Sequence, residues 1–132
     1  MSRILLDTSG YSAFRRGHPE IVREIQEADE IVVTPVILGE LLAGFLQGGR
    51  PAKNRSDLRT FLSSDRARVA DVDPETSERY AVILDGLRKS GTPIPTNDIW
   101  IAASAMQHGL RIVTTDEHYR KVPQVVVGLH AP

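Results

Sequence analysis

Thr96-Asn97-Asp98-Ile99-Trp100-Ile101-Ala102-Ala103 opens a segment that runs on to Arg111-Ile112-Val113-Thr114-Thr115-Asp116, and its reading decides the fold class. Ile99, Ala102, Ala103 and Met106 recur at the spacing of one helix face, whereas Arg111 to Thr114 is a short apolar run of strand character. The alternation extends along the whole chain. Ile4-Leu5-Leu6, Ile31-Val32-Val33, the weaker Arg68-Val69-Ala70 and Val125-Val126-Val127 read as further strands. Val36, Ile37, Leu41 and Phe45 mark one more helix, Leu58, Phe61 and Leu62 another, and Tyr80, Ile83, Leu84 and Leu87 a third. Strands that are apolar on both faces and separated by helices predict an α/β fold. Its sheet would be central, mainly parallel, of about five strands, and covered on both sides as a three-layer α/β/α sandwich. Pro19, Pro35, Pro74 and Pro95 fall at helix starts, where a missing N–H costs little. Thr96 is the expected N-cap of the helix that carries Asp98. Gly48-Gly49-Arg50-Pro51 reads as the loop closing the helix around Glu40.

With 132 residues, 41% hydrophobic and 25% charged, the chain suits one domain spanning 1–132 with a real core. There is no cysteine, so disulfides and thiolate metal sites are excluded, and a reducing cytoplasm is the expected location. The first apolar run stops at Asp7, too short for a signal-peptide core, and no segment approaches a membrane span. Sixteen basic and 17 acidic residues give a net charge of −1. That balance argues against a nonspecific coat on long duplexes, yet permits a structured RNA held by a local basic patch.

Four carboxylates stand where this fold concentrates chemistry. Asp7 directly follows the first strand and Asp116 follows the strand Arg111–Thr114, so in a parallel sheet both emerge at the carboxyl edge. Asp98, in the first turn of its helix, faces the same edge. Glu40 projects from a face shared with Val36, Ile37, Ala43 and Gly44. Each has an ordinary explanation when taken singly. Asp7 can cap a helix, Asp98 can favour the helix dipole by roughly 0.3–1 kcal/mol, and Asp116 can sit in a turn. Glu40 fits least well, because a carboxylate on a mainly apolar face needs a partner.

Taken together, the four carboxylates make a stronger case. Converging like charges raise one another's pKa values, and folding such a cluster makes sense around a divalent cation. Hard oxygen ligands suit Mg²⁺, with Mn²⁺ as a substitute, rather than zinc. Thr8, Ser9, Asn97, Thr114 and Thr115 crowd the same edge as candidates for binding metal-bound water or substrate. Such a site suits phosphodiester hydrolysis by metal-activated water.

The segments Leu5-Leu6-Asp7-Thr8-Ser9, Gly39-Glu40-Leu41, Thr96 to Ala103, and Val113-Thr114-Thr115-Asp116-Glu117-His118-Tyr119 resemble, in order and spacing, the PIN-domain pattern in its VapC form. The resemblance covers nearly the whole chain. It implies that Asp7 and Asp98 are principal metal ligands and that Glu40 and Asp116 complete the site. It also implies a Mg²⁺-dependent endoribonuclease acting as the toxin of a type II pair, commonly dimeric and held inactive by a small VapB-type antitoxin.

Weaker signals remain beside these. Arg15, Arg16 and Arg120 are candidates for steering RNA phosphates, against the blander reading of a solvated surface. Trp100 and Phe45 invite a base-stacking reading, but core packing is expected of Trp100 within its apolar helix. The histidines lack metal-ligand spacing, and His118 is expected in a surface turn. The helix Val36–Leu46 and the region of Leu58, Phe61 and Leu62 hold more apolar surface than a small sheet needs, which suggests a homodimer face or an antitoxin groove. A dehalogenase-like phosphatase would want an aspartate two residues after Asp7, where Ser9 stands. The non-enzymatic alternative is a PIN-like RNA- or partner-binding module acting mainly in an antitoxin complex.

Overall fold

The structure, a computed structural model, describes residues 2–132. Five strands form one sheet: β1 (Arg3–Leu6), β2 (Glu30–Val33), β3 (Ala67–Val69), β4 (Arg111–Thr114) and β5 (Val126–Leu129). Their order is β3-β2-β1-β4-β5 and every pairing is parallel. β1 lies at the centre, with Leu5 opposite Val32 on one side and Ile112 on the other. Ile4, Leu5 and Leu6 are all buried although alternate residues point to opposite faces, so both faces of the central strand are covered.

Six helices supply that cover: α1 (Thr8–Arg15), α2 (Pro19–Glu27), α3 (Pro35–Gln47), α4 (Pro51–Leu62), α5 (Pro74–Ser90) and α6 (Thr96–His108). Four of them start on a proline at the first turn. α1 and α2 fill the interval between β1 and β2, where apolar spacing had marked no helix. β3 starts one residue before its apolar run and β5 one residue after, at 67–69 and 126–129.

One cap differs from expectation. Pro95, not Thr96, is the N-cap of α6, and no side chain caps that end. Pro95 holds an extended ψ of 145°, so Thr96 becomes the first helical residue and Asp98 still falls in the first turn. The body of α6 is sunk into the core: Ile99, Ile101, Ala102, Ala103, Ser104 and Ala105 are all buried. Small side chains here let the helix approach the sheet closely, which carries Asp98 inward with it.

Because all the strands run one way, the ends of β1, β2 and β4 share an edge, and α1, α3 and the segment after β4 all begin there. The candidate site residues Asp7, Glu40, Asp98 and Asp116 lie at or close to that edge.

Candidate active site

Asp7 leaves β1 in an extended conformation and becomes the N-cap of α1, its Oδ1 accepting from the Gly10 amide at 2.7 Å. Ser9 donates to the same carboxylate at 3.0 Å, and the Thr114 hydroxyl, from the end of β4, donates at 2.7 Å. The capping role weighed from the sequence is real, but it leaves a carboxylate only 3% exposed. Burial pushes its pKa up to about 6 against the lowering by Thr114, Gly10 and Ser9, with a smaller upward push from Asp116.

Asp98 stands on the opposite wall. Its carboxylate accepts from His118 Nδ1 at 2.8 Å and from the Tyr119 hydroxyl at 3.3 Å. Burial raises its pKa, His118 opposes that, and Asp116 adds to it. Asp116 caps the short 3-10 helix Glu117–Lys121 by accepting from the His118 amide, while its own amide donates to Thr114 Oγ1 at 2.9 Å. This fold-back puts His118 Nδ1 3.1 Å from Asp116 as well. One imidazole therefore bridges two carboxylates, and ligand atoms of Asp98, Asp116 and His118 all lie within 4.8 Å of one another.

Glu40 comes from the second turn of α3. It accepts from the Thr8 hydroxyl at 2.6 Å and from the Asn97 amide at 3.2 Å. Its partners are neutral groups, each adjacent in sequence to another member of the quartet. Thr8 and Asn97 thereby tie Glu40 between Asp7 and Asp98. Ser9 and Thr115 close the floor, the Thr115 amide donating to Ser9 Oγ at 3.1 Å. A depression of ≈ 520 Å³ opens over this edge, lined by Ser9, Thr115, Asp116, Glu117, His118 and Lys121.

The arginines fall outside this group. Arg15 pairs with Asp57 at 3.1 Å, and Arg16 and Arg120 are exposed. None of the three bonds to the quartet among the described residues. Trp100 stacks on Tyr80 with ring centroids 4.2 Å apart, so it packs within the fold.

Two neighbours of the site were not read from the sequence as part of it. His118 is no free turn residue, because the 3-10 helix returns its ring to Asp98 and Asp116. Tyr119 is fully buried, and burial together with Asp7, Asp98 and Asp116 drives its pKa far up, so its hydroxyl stays protonated and donates. The available signal was Asp116 two residues before His118, the spacing at which a capping aspartate meets its own helix.

The donors are carboxylate oxygens and one imidazole, backed by hydroxyls, with Asp7 and Asp98 raised by burial and by repulsion from Asp116. A divalent cation fits such a set, since it would offset that repulsion. A family model described as PIN domain matches residues 4–125. The chain belongs to the PIN-domain family. Its relatives place it among the VapC ribonucleases: it is 38% identical to Ribonuclease VapC4 of Mycobacterium tuberculosis over 95 residues, 72% of this chain and 73% of that one. It is 27% identical to the tRNA(fMet)-specific endonuclease VapC of Salmonella typhimurium, over 95% of this chain and 96% of the relative. Among solved structures, DNA-bound VapBC from Salmonella typhimurium superposes with a TM-score of 0.84 at 26% identity, covering 97% of this chain and 98% of the other. This PIN domain therefore has the acidic edge of a family of metal-dependent nucleases, and the five-stranded parallel sheet expected from the sequence.

Proposed function

We propose that the protein is a Mg²⁺-dependent endoribonuclease, with Mn²⁺ as a substitute ion, acting as the toxin of a pair with a VapB-type antitoxin. The observation that carries this reading is the convergence at one edge of Asp7, Asp98 and Asp116, with Glu40 tethered between Thr8 and Asn97. Asp7, Asp98, Asp116 and Glu40 would hold the ion. When bound, Mg²⁺ supplies Lewis-acid polarisation of the phosphodiester and lowers the pKa of the attacking water.

The chain's own groups do the positioning. Gly10, Ser9 and Thr114 fix the Asp7 carboxylate, and Tyr119 and His118 fix Asp98. Thr8 and Asn97 aim Glu40. The open depression beside Asp116 admits an RNA strand, and Lys121 at its rim offers a phosphate contact.

Residues 1–132 are read as one domain, supported by a sheet that gathers strands from both ends of the chain. A cytoplasmic location accords with the absence of cysteine and with no described helix being long and apolar enough to cross a membrane. The antitoxin and a second copy of the chain are the expected partners. Leu46, 77% exposed, and a groove of ≈ 280 Å³ between α3 and α4 lined by Leu42, Phe45, Pro51 and Ala52 supply apolar surface for one of them.

The deciding experiment incubates antitoxin-free protein with total RNA in Mg²⁺ and in excess EDTA, beside Asp7→Asn and Asp98→Asn. Discrete fragments with 3′-hydroxyl and 5′-phosphate ends are expected in Mg²⁺ alone. Each substitution should slow their formation by about 100-fold or more, since losing a ligand costs more than the roughly 10–100-fold of losing only a ligand's outer partner. Full cleavage by Asp98→Asn sinks the assignment of Asp98.

A further inference from the structure

The seam between α1 and α3 begins at the Thr8–Glu40 hydrogen bond and leads away from the acidic edge. Along α1, Tyr11, Ser12 and Arg15 follow Thr8 at helical spacing on one face, and Phe45 lies little more than one turn beyond Glu40 on α3. At a rise of about 1.5 Å per residue, Ser12 and Arg15 stand roughly 6 and 10 Å along the axis from Thr8, within reach of one nucleotide. There the seam opens into a pocket of ≈ 210 Å³ lined by Tyr11, Ser12, Arg15, Arg16, Phe45, Asn54 and Asp57. Its volume would hold about seven waters, or one planar heterocycle.

The walls of this pocket are both polar and aromatic. Tyr11 is only 2% exposed, yet its hydroxyl has no hydrogen-bond partner among the described residues. Burial raises its pKa, and the charges that bear on it, Arg15 and Asp57, line the same pocket. A buried hydroxyl left unmet is unfavourable, and a ligand with a donor or acceptor would relieve it. Asp57 spends one oxygen on Arg15 and Lys53, at 3.1 and 2.8 Å, which leaves Oδ1 free to accept. Asn54 adds a donor and an acceptor. Phe45 is half-buried and offers a ring at the wall, whereas Trp100, the other aromatic considered for stacking, is spent on Tyr80. Arg16 makes no ion pair among the described residues, so its charge is available to a phosphate.

We propose that this pocket binds one nucleobase of the RNA next to the scissile phosphate, stacked against Phe45 and read at its polar edge by Tyr11, Asn54 and Asp57, with the adjoining phosphate on Arg16. This rests on the ribonuclease reading above, and it locates a determinant of cleavage-site choice. Donors and acceptors at one edge with an aromatic face beside them suit a heterocycle. An apolar side chain from a protein would leave the Tyr11 hydroxyl and the Asp57 oxygen unmet.

The test measures binding rather than cleavage, in EDTA and again in calcium. The probes are fluorescent uridine octamers carrying A, C, G or U at the central position. Wild type should favour one central base. Tyr11→Phe and Asn54→Ala should weaken the favoured octamer about three- to tenfold, the span of one lost hydrogen bond, and flatten the differences among the four. Arg16→Ala should weaken all four alike and lower the salt dependence by about one phosphate contact. Tyr11→Phe removes a group unsatisfied in the free protein, so it should unfold at the same or a higher urea concentration, which separates lost recognition from lost folding. Equal binding of the four octamers by wild type, no binding at all, or variants that bind as wild type does would each overturn the proposal. The last result would leave the pocket to a protein side chain. Base-selective binding without metal-dependent cleavage would retain the pocket and refute the ribonuclease reading instead.

Discussion

Asp7 carries a carboxylate into almost complete burial, with three donors around it and no basic side chain bonded to it among the described residues. Its folded pKa, about 6, lies above the ordinary 3.8, so the folded protein binds this proton more tightly than the unfolded chain does. Stability of the metal-free protein should therefore fall as pH rises from about 4 through about 6 and then level off. Asp7→Asn removes the buried charge. In EDTA at neutral pH it should raise stability by about 1–3 kcal/mol, although it slows cleavage once Mg²⁺ is supplied. Urea unfolding of both proteins across this pH range checks it, with the gap between them closing towards the acid end. Equal stability at neutral pH would mean that the donors around Asp7 fully compensate its burial. Residues such as Asp7 and Asp116 were legible in the sequence because a parallel sheet sends the ends of its strands to one edge. His118 and Tyr119 were not, because their contacts depend on a 3-10 turn that returns the chain onto Asp98, and no periodicity in five residues announces that.

At the scale of the element, α1 is held against β4 by the absence of a side chain. A Cβ on Gly10 would lie 2.4 Å from the Val113 carbonyl oxygen and 2.9 Å from Leu6 Cδ1. The first contact is with backbone, which a rotamer change cannot relieve. Gly10→Ala should cost about 1–3 kcal/mol, the usual range for overpacking, and should do so despite the better helix propensity of alanine. It should also impair cleavage, because the Gly10 amide that holds Asp7 would have to retreat with the helix. Thermal melting together with the cleavage assay checks both, and a neutral effect on both would show that α1 is free to shift. The long elements were readable from their apolar spacing, α3, α5 and α6 most directly. α1 was not marked by apolar spacing, since Thr8-Ser9-Gly10-Tyr11 buries a glycine and a tyrosine rather than an aliphatic stripe, and α2 was signalled only by Pro19 at its start, although Ile21 and Ile25 form its buried face. The cap of α6 was misread because Thr96 is a common capping residue, whereas Pro95 already holds the extended backbone that a cap requires.

At the scale of the whole molecule, the last residues are bound back to the first third of the chain by charge rather than by apolar packing. β5 is an edge strand whose Val126 is 65% exposed. Just beyond it, His130 meets Glu20 at 3.0 Å and Glu24, both on α2, while Arg111 of β4 pairs with Glu24 from the other side. His18 caps α2, reaches the Ala131 carbonyl at 2.7 Å, and stands with its ring 6.0 Å from that of His130. Burial alone would lower the pKa of His130, but the hydrogen bonds to Glu20 and Glu24 outweigh it and raise the pKa above the ordinary 6.5. Glu20 is lowered from 4.5, chiefly by its bond to His130. The two signs define a window. The histidine's contribution is fully present below about pH 6.5 and is lost as pH rises through its raised folded value, whereas that of Glu20 is present above about pH 4.5 and is lost as pH falls through its lowered one. The clamp should hold best between those limits. His130→Gln, which keeps hydrogen bonding and removes the charge, should lower the melting temperature by a few degrees near pH 6 and by progressively less as pH rises through the raised value of His130, where wild type loses the same charge. Asp7 is unchanged in the comparison, so its own pH response cancels in the difference between the two proteins. A gap that stays constant across the range would mean that the tail is held by the strand pairing of β5 with β4 and not by the imidazolium.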